Sequence, residues 1–92
     1  MKAIIDLKLY DTDMAELVHR GYKDGICGIT VVCNDLYKTE IGNYFRHSIT
    51  EFLGKISEGI VPQSTEETIK WLKDSDVLEK AIELFKDEIE VA

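Results

Sequence analysis

The chain has 92 residues, of which 45% are hydrophobic and 32% are charged, a composition typical of a globular protein and not of a disordered one. Eighteen acidic residues against eleven basic ones give a net charge of −7. This balance disfavours direct binding to nucleic acid or to an anionic membrane through a basic patch. No apolar run approaches the roughly 18 residues of a membrane-spanning helix, and Asp6 and Lys8 interrupt the N-terminal run, so it lacks the pattern of a secretory signal. We predict a single domain, residues 1–92, in the cytosol.

The first two elements are predicted to be a strand and a helix. Residues 3–10 alternate, and one face of the strand would bury Ala3, Ile5, Leu7 and Leu9. A helix would follow from Asp13, because Asp13 and Glu16 have the spacing of a capping box and the apolar residues after them recur at helical intervals. A glycine at position 21 or 25 would end this helix.

Residues 25–33 read GICGITVVC and predict a second strand. The segment is rich in β-branched residues and apolar on both faces, which is typical of a central strand with a neighbour on each side. Gly28, inside this strand, would mark a bulge or a close backbone approach. The two cysteines, Cys27 and Cys33, would point to the same face and serve as core residues, since cysteine is among the most buried residue types.

From about residue 35 to residue 58 the apolar spacing becomes helical and predicts one long helix. Its stripe would consist of Tyr37, Ile41, Tyr44, Phe45, Ile49, Phe52, Leu53 and Ile56. Gly59 would cap its C-terminus, and Pro62 would prevent its continuation. An alternative is that residues 36–42 form a third strand and the helix starts near Asn43. We favour the helix, because Tyr37 and Ile41 continue the stripe.

Two further helices are predicted near the C-terminus. Ser64 and Glu67 have the spacing of a capping box at the start of the first. Asp74 or Ser75 would cap the second, whose inner face would hold Val77, Leu78, Ala81, Ile82, Leu84, Phe85 and Ile89. The predicted fold is therefore α+β, a small sheet of two or three strands per chain covered by amphipathic helices in the order β-α-β-α-α-α. Because two strands form a marginal sheet, pairing across a homodimer is also expected.

The chain contains no sequence motif for catalysis, for a cofactor or for a metal, and we predict none of the three. The cysteines are not in a metal-binding spacing, and His19 and His47 are interpreted as solvated residues on helix surfaces. A small enzyme or ligand-binding domain is the alternative, with a pocket near Cys27, Cys33 or Tyr10.

The predicted last helix carries most of the charge asymmetry. Residues 64–92 have a net charge of −5, against −2 for residues 1–63. On a helical wheel, one arc opposite the apolar face would hold Asp76, Glu79, Glu83, Asp87 and Glu90. Like charges at these spacings oppose helix stability, so a binding role competes with simple solvation of the surface. Trp71, away from the apolar face of its own helix, would be a partner anchor if it were exposed.

We therefore predict a non-enzymatic module that binds a basic protein through these acidic residues and Trp71. In size and acidity the chain is similar to the small phage inhibitors of anti-restriction and anti-CRISPR type, some of which mimic DNA. This similarity implies, as the partner, a nuclease or another nucleic-acid-binding protein. A subunit of a larger assembly is a further alternative.

Overall fold

The computed structural model describes residues 1–21 and 27–90. Within them the chain forms six strands and two helices: β1 (Lys2–Ile5), β2 (Lys8–Asp11), β3 (Glu16–Arg20), β4 (Ile29–Lys38), β5 (Tyr44–Phe52), β6 (Lys55–Gln63), α1 (Thr65–Asp74) and α2 (Leu78–Leu84). The strands make two antiparallel sheets, the hairpin β1–β2 and a four-stranded sheet in the order β3-β4-β5-β6. The predicted sheet of two or three strands covered by amphipathic helices is wrong, since the fold is mostly β.

The first predicted strand is two strands. Asp6 and Leu7 both have positive φ, and as a two-residue loop they reverse the chain so that Ile5 pairs with Lys8. The reversal breaks the alternation along residues 3–10. Leu7 and Leu9 were expected on the buried face and are instead exposed, at 97% and 55%.

The predicted first helix is the strand β3. Asp11, not Asp13, organises the turn before it, because its carbonyl accepts hydrogen bonds from the backbone N–H groups of Met14 and Ala15. Its side chain also accepts from the N–H of Asp13, at 3.0 Å. This local turn, an arrangement that aspartate favours, replaces the capping box, and β3 then pairs with β4.

The β-branched segment does form a central strand, with β3 on one side and β5 on the other. Its described part begins at Ile29 and continues to Lys38, well into the predicted long helix. Residues 22–26 lie outside the described residues, so the N-terminal end of that prediction does too. Cys27 and Gly28 form a turn with positive φ at both residues, so neither of them is the strand residue that was predicted.

The predicted long helix is wrong, because residues 35–58 form the end of β4, all of β5 and the start of β6. Two turns divide the segment. In the first, Thr39 and Asn43 bond to each other and Gly42 has positive φ; the second is the two-residue loop Leu53–Gly54. Residues of the supposed apolar stripe fall in both turns and are exposed: Ile41 at 83% and Leu53 at 86%.

The caps predicted for that helix lie instead within β6. Gly59 pairs with Ser48 and Pro62 with Phe45. Pro62 is tolerated there because β6 is the last strand in the sheet order, and proline within a sheet is confined largely to such edge positions.

The helix α1 confirms the capping box, with Ser64 at the N-cap and reciprocal hydrogen bonds to Glu67. The following cap prediction is wrong, because Ser75 ends α1 instead of starting α2. Asp76 adopts positive φ, and its N–H and that of Val77 bond to the last carbonyls of α1, as in a Schellman motif. The final helix is shorter than predicted and ends at Leu84.

The four-stranded sheet has a different cover on each side. On the side we call the helix face, Leu36 and Tyr44 pack with Leu72, Ala81 and Phe85 from the helical segment. On the other side, the hairpin face, a separate cluster packs the β1–β2 hairpin against the sheet through Tyr10, Phe45 and Ile60. Residues 44 and 45 are adjacent in β5 and enter different clusters because successive strand residues point to opposite faces.

The molecule is elongated. Its radius of gyration is 14.1 Å, above the roughly 12 Å expected for a compact chain of this length. One end of the β4–β6 ladder, at the Leu53–Gly54 loop, carries exposed apolar side chains. We call this end the distal arm; its exposed apolar residues are Ile29, Val32, Phe52, Leu53 and Ile56.

Candidate functional site

The acidic residues predicted for partner binding are all exposed but do not form one helical row. Glu79 and Glu83 lie one turn apart on α2, whereas Asp87 and Glu90 follow its end and Asp76 precedes its start. Beside the two helical carboxylates, α2 also leaves Leu78 and Ile82 exposed, at 46% and 44%. We call these four residues the α2 surface. The sequence predicted that the apolar face of this helix would be wholly buried. In the structure, two of its apolar residues are instead exposed beside two carboxylates.

The nearest basic residue on α2 does not neutralise these carboxylates. Lys80 donates from Nζ to the carbonyl oxygen of Val18 in β3, at 2.6 Å. Among residues 1–21 and 27–90, no Lys, Arg or His forms an ion pair within 4.0 Å with any of the predicted acidic residues. The negative charge of this region is therefore presented to solvent.

Trp71 packs against its own fold and is only partly exposed. It is half-buried against the helix-face cluster, and its ring meets that of His19 edge-on with centroids 5.8 Å apart. His19 was predicted on a helix surface and is instead a half-buried residue of β3. Burial lowers the pKa of His19, Lys80 lowers it further, and Asp35 partly opposes both.

The hairpin face carries a cluster that the sequence did not predict. Cys33 Sγ lies 3.7 Å from His47 Nδ1, and His47 Nε2 lies 2.6 Å from Glu58 Oε2. We call these three residues the thiol cluster. His47 was predicted to be solvated on a helix, but only 12% of its side chain is exposed. Cys27, by contrast, is an exposed free cysteine in the turn before β4, so the shared core role predicted for the two cysteines is wrong.

The sheet register brings the thiol cluster together. His47 stands opposite Asp35 on β4 and Ile60 on β6. Cys33 lies two residues before Asp35 on β4, and Glu58 lies two residues before Ile60 on β6, so both are diagonal to His47. Diagonal neighbours in a sheet are within reach of longer side chains. A β-bulge lies between Val31 and Cys33 and shifts the alternation, so that these two residues are on opposite faces.

Two further polar side chains border the thiol cluster on β4. The ring of Tyr37 lies 6.4 Å from that of His47. Burial raises the pKa of Tyr37, and the nearby Asp35 raises it further. Asp35 is itself buried and pairs with Arg20, Nη1 to Oδ2, at 3.3 Å.

Two of the shallow depressions on the described surface have volumes of about 210 and 240 Å³. Both fall below the roughly 300–1,000 Å³ of typical small-molecule sites. One is lined by Leu9, Asp11, Met14, Ala15, Thr39, Glu40 and Ile41, and the other by His19, Arg20, Gly21, Ser75 and Val77. Tyr10, proposed beside a pocket, is buried against Phe45. Neither depression includes the thiol cluster.

Within residues 1–21 and 27–90, no three His, Cys, Asp or Glu side chains converge so as to hold a metal ion. Neither helix has the length and apolar character needed to cross a membrane.

Comparison with known proteins gives no relative. No protein-family model, no curated protein and no solved structure matches this chain.

Proposed function

We propose that this protein is a small, acidic, non-enzymatic module that binds a basic protein partner through the α2 surface. The observation that carries the proposal is the exposed pair Leu78 and Ile82 lying beside Glu79 and Glu83. Protein interfaces combine an apolar centre with a polar rim. A helix that served only to cover the sheet would have no need to expose two aliphatic side chains one turn apart.

A basic partner is proposed from the charge of the region. Residues 76–90 contain six acidic and two basic side chains, and the ammonium group of Lys80 is held by a backbone carbonyl. An unneutralised negative surface accelerates encounter with a positive one. Nucleases and other nucleic-acid-binding proteins expose basic surfaces toward phosphates, so inhibition by covering such a surface is the proposed action.

The test is to capture partners from a lysate of the source organism and to measure the affinity of a purified partner at about 50 and 200 mM salt. The variant combines Glu79→Gln, Glu83→Gln, Asp87→Asn and Glu90→Gln. It leaves Asp76 intact because the backbone of Asp76 closes α1. We expect an association rate at least about tenfold lower at the lower salt, and a weaker salt dependence.

A matched control separates the site from net charge. The variant Asp13→Asn, Glu16→Gln, Glu40→Gln, Glu51→Gln changes the same residue types by the same total charge, and all four are exposed and outside the ion pairs. We expect this control to retain most of the wild-type association rate. An equal loss in both variants would mean that only overall charge matters, and unchanged affinity in the first would contradict the proposed surface.

The apolar half of the surface has its own test. Leu78→Ser with Ile82→Ser should speed dissociation at both salt concentrations, because apolar contacts act mainly on the dissociation rate and are not screened by salt. A thermal melt close to that of wild type would show that the effect arises at the interface.

Self-association belongs to the same proposal. The chain supplies β4 with both neighbours, so the predicted dimer is now supported by the open edge of β6 and by the exposed residues of the distal arm. Size exclusion with light scattering at micromolar concentration should give the mass of two chains for wild type and of one for Leu53→Lys. Ile41→Lys, an equally exposed turn residue away from the distal arm, is the control. A wild-type mass of one chain would contradict the dimer.

The cytosol remains the proposed location. Its support is the exposed thiol of Cys27, because reducing compartments preserve free cysteines. Fractionation of the source cells with an antibody to the protein tests it.

A further inference from the structure

The thiol cluster lies on the hairpin face, the opposite side of the sheet from the α2 surface, and plays no part in the proposed partner binding. Its three side chains come from three neighbouring strands, Cys33 from β4, His47 from β5 and Glu58 from β6. Both contacts of the imidazole are within hydrogen-bonding range, 3.7 Å to sulfur and 2.6 Å to oxygen. The arrangement is a thiol beside a base that is in turn oriented by a carboxylate.

The contact with Glu58 determines which ring nitrogen of His47 carries the proton. A carboxylate only accepts, so His47 Nε2 carries a proton and donates to Glu58. The lone pair of Nδ1 then faces Cys33 Sγ and can take the thiol proton, which the backbone carbonyl of His47, 3.9 Å from the sulfur, can also accept as a hydrogen bond. After that transfer both ring nitrogens donate, one to the thiolate and one to the carboxylate, so the new positive charge lies between two negative groups.

The position of the sulfur adds a second observation. Cys33 follows directly after the β-bulge in β4, and bulges re-aim side chains and occur often beside active sites. The side chain of His47 is 12% exposed and that of Glu58 is 41% exposed. The base is thus shielded from bulk water, while the outer carboxylate remains open to solvent.

We propose that Cys33 is a reactive thiol, activated by His47 and Glu58, that forms a mixed disulfide with low-molecular-mass disulfides. The open sheet face favours this class over acyl transfer, which needs an enclosed substrate and donors aimed at an oxyanion. Neither of the two depressions described above includes the thiol cluster.

The exchange is balanced in atoms and electrons. The proton of Cys33 moves to His47 Nδ1, and the thiolate attacks one sulfur of the reagent. The sulfur–sulfur bond of the reagent breaks, and a new one forms to Cys33. The leaving thiolate takes the bonding pair, and the proton from His47 converts it to a free thiol. One disulfide is consumed and one is formed, so no further oxidant is required.

Other ionisable groups near the imidazole are shared by all the variants compared below. On β4 they are Tyr37 and Asp35, the latter paired with Arg20 of β3. Glu51 lies farther along β5, and Tyr10 of the hairpin packs on Phe45. Because these groups are unchanged between the test variants, except where Glu51 is itself the control, differences between pH profiles report on the thiol cluster.

The experiment measures the rate of reaction of single-cysteine proteins with 5,5′-dithiobis(2-nitrobenzoate) and with oxidised glutathione, from about pH 5 to pH 9. Cys27→Ser leaves only Cys33, and Cys33→Ser leaves only the exposed Cys27 as reference. An unassisted thiol loses roughly eightyfold in rate between about pH 9 and pH 6.5, following its thiolate fraction. We expect Cys33 to lose less than about fivefold over that range, and to lose less than the reference thiol Cys27.

Substitutions in the Cys27→Ser protein then assign the effect. His47→Gln should restore the steep profile, and Glu58→Gln should lower the rate at about pH 6.5 by roughly threefold. Glu51→Gln, an exposed carboxylate on the same strand as His47, is the matched control and should leave the profile unchanged. Mass spectrometry of the glutathione reaction should find the adduct on Cys33.

Three results would overturn the proposal: a steep profile for Cys33, a flat profile that survives His47→Gln, or no reaction of Cys33 in the folded protein. If His47→Gln fails to fold, the Glu58→Gln comparison and the profile of the Cys27→Ser protein still decide. All of these measurements are independent of partner binding, so they test the thiol cluster alone.

Discussion

The two faces of the four-stranded sheet are covered by different elements and to different extents. The helix face is covered by α1 and α2, and its cluster includes the fully buried Leu36 and Leu72. The hairpin face is covered by two four-residue strands around Phe45. The small hairpin leaves part of the sheet without a cover, and the thiol cluster lies on this face. The thiol cluster therefore remains partly exposed on one face, whereas packed helices occupy the other.

The largest expected effect tests whether the cluster under the β1–β2 hairpin is needed for the stability of the fold. Phe45 is fully buried, with rings of Tyr10 and Tyr37 at 5.4 and 5.3 Å. Phe45→Ala should lower the free energy of unfolding by about 3–5 kcal/mol, because it leaves a cavity between hairpin and sheet. Leu72→Ala, the matched deletion on the helix face, should cost about 2–5 kcal/mol.

Denaturant unfolding, followed by circular dichroism and by the fluorescence of Trp71, measures the free energy of unfolding of both variants. Trp71 reports on the helix face, so coincident transitions would show that the two clusters unfold together. A loss below about 1 kcal/mol for Phe45→Ala would mean that the hairpin is only loosely attached.

The next effect concerns Gly21, directly after β3, which lies close to β4 and to Trp71 of α1. A Cβ at Gly21 would lie 2.2 Å from the carbonyl oxygen of Asn34 and 2.7 Å from the ring of Trp71. Gly21→Ala should therefore cost about 1–3 kcal/mol through overpacking. Gly59→Ala is the control, since a Cβ there meets nothing within 4 Å. Thermal melts of the two variants measure this cost. Equal stability of the two would show that the backbone around Gly21 moves easily to accept a side chain.

A smaller effect is expected at the start of α1. Ser64→Ala removes the side chain that accepts from the N–H of Glu67, at 3.1 Å, and should cost about 1 kcal/mol. The hydrogen bonds of Ser64 lower the pKa of Glu67. The contribution of Glu67 is therefore present above its unfolded pKa and lost as the pH falls through its folded pKa. Wild type should lose more stability on acidification than Ser64→Ala, as chemical denaturation at several pH values will show.

The smallest effect is the titration of His19. Because its pKa is lowered in the fold, chiefly by burial, the unfolded chain binds a proton at higher pH than the folded one does. The stabilising effect of neutral His19 is thus present above its unfolded pKa and decreases as the pH falls below that value. Proton NMR, with the resonance assigned by a His19→Gln variant, should give a midpoint below about 6.5. A midpoint at or above that value would contradict the packing against Trp71.

Some features of this protein were determined by the sequence alone, because their causes are local. The capping box of Ser64 and Glu67 forms within four residues and was predicted correctly. The β-branched run before Cys33 likewise predicted a strand with neighbours on both sides, and β4 has them. In both places the residues that specify the structure are consecutive or nearly so.

Other features were decided only by tertiary structure. Residues 35–58 have apolar spacing that fits a helix, yet positive φ at Gly42, Leu53 and Gly54 divides them into strands. Hydrogen bonding between neighbouring strands and packing on both faces of the sheet then make those strands favourable. The thiol cluster can form only because residues 35–58 are strands and not a helix. In a helix, His47 would not face residues 33 and 58, whereas the antiparallel register places it between them. The contact distances were fixed by long-range pairing and a bulge, which apolar periodicity does not encode.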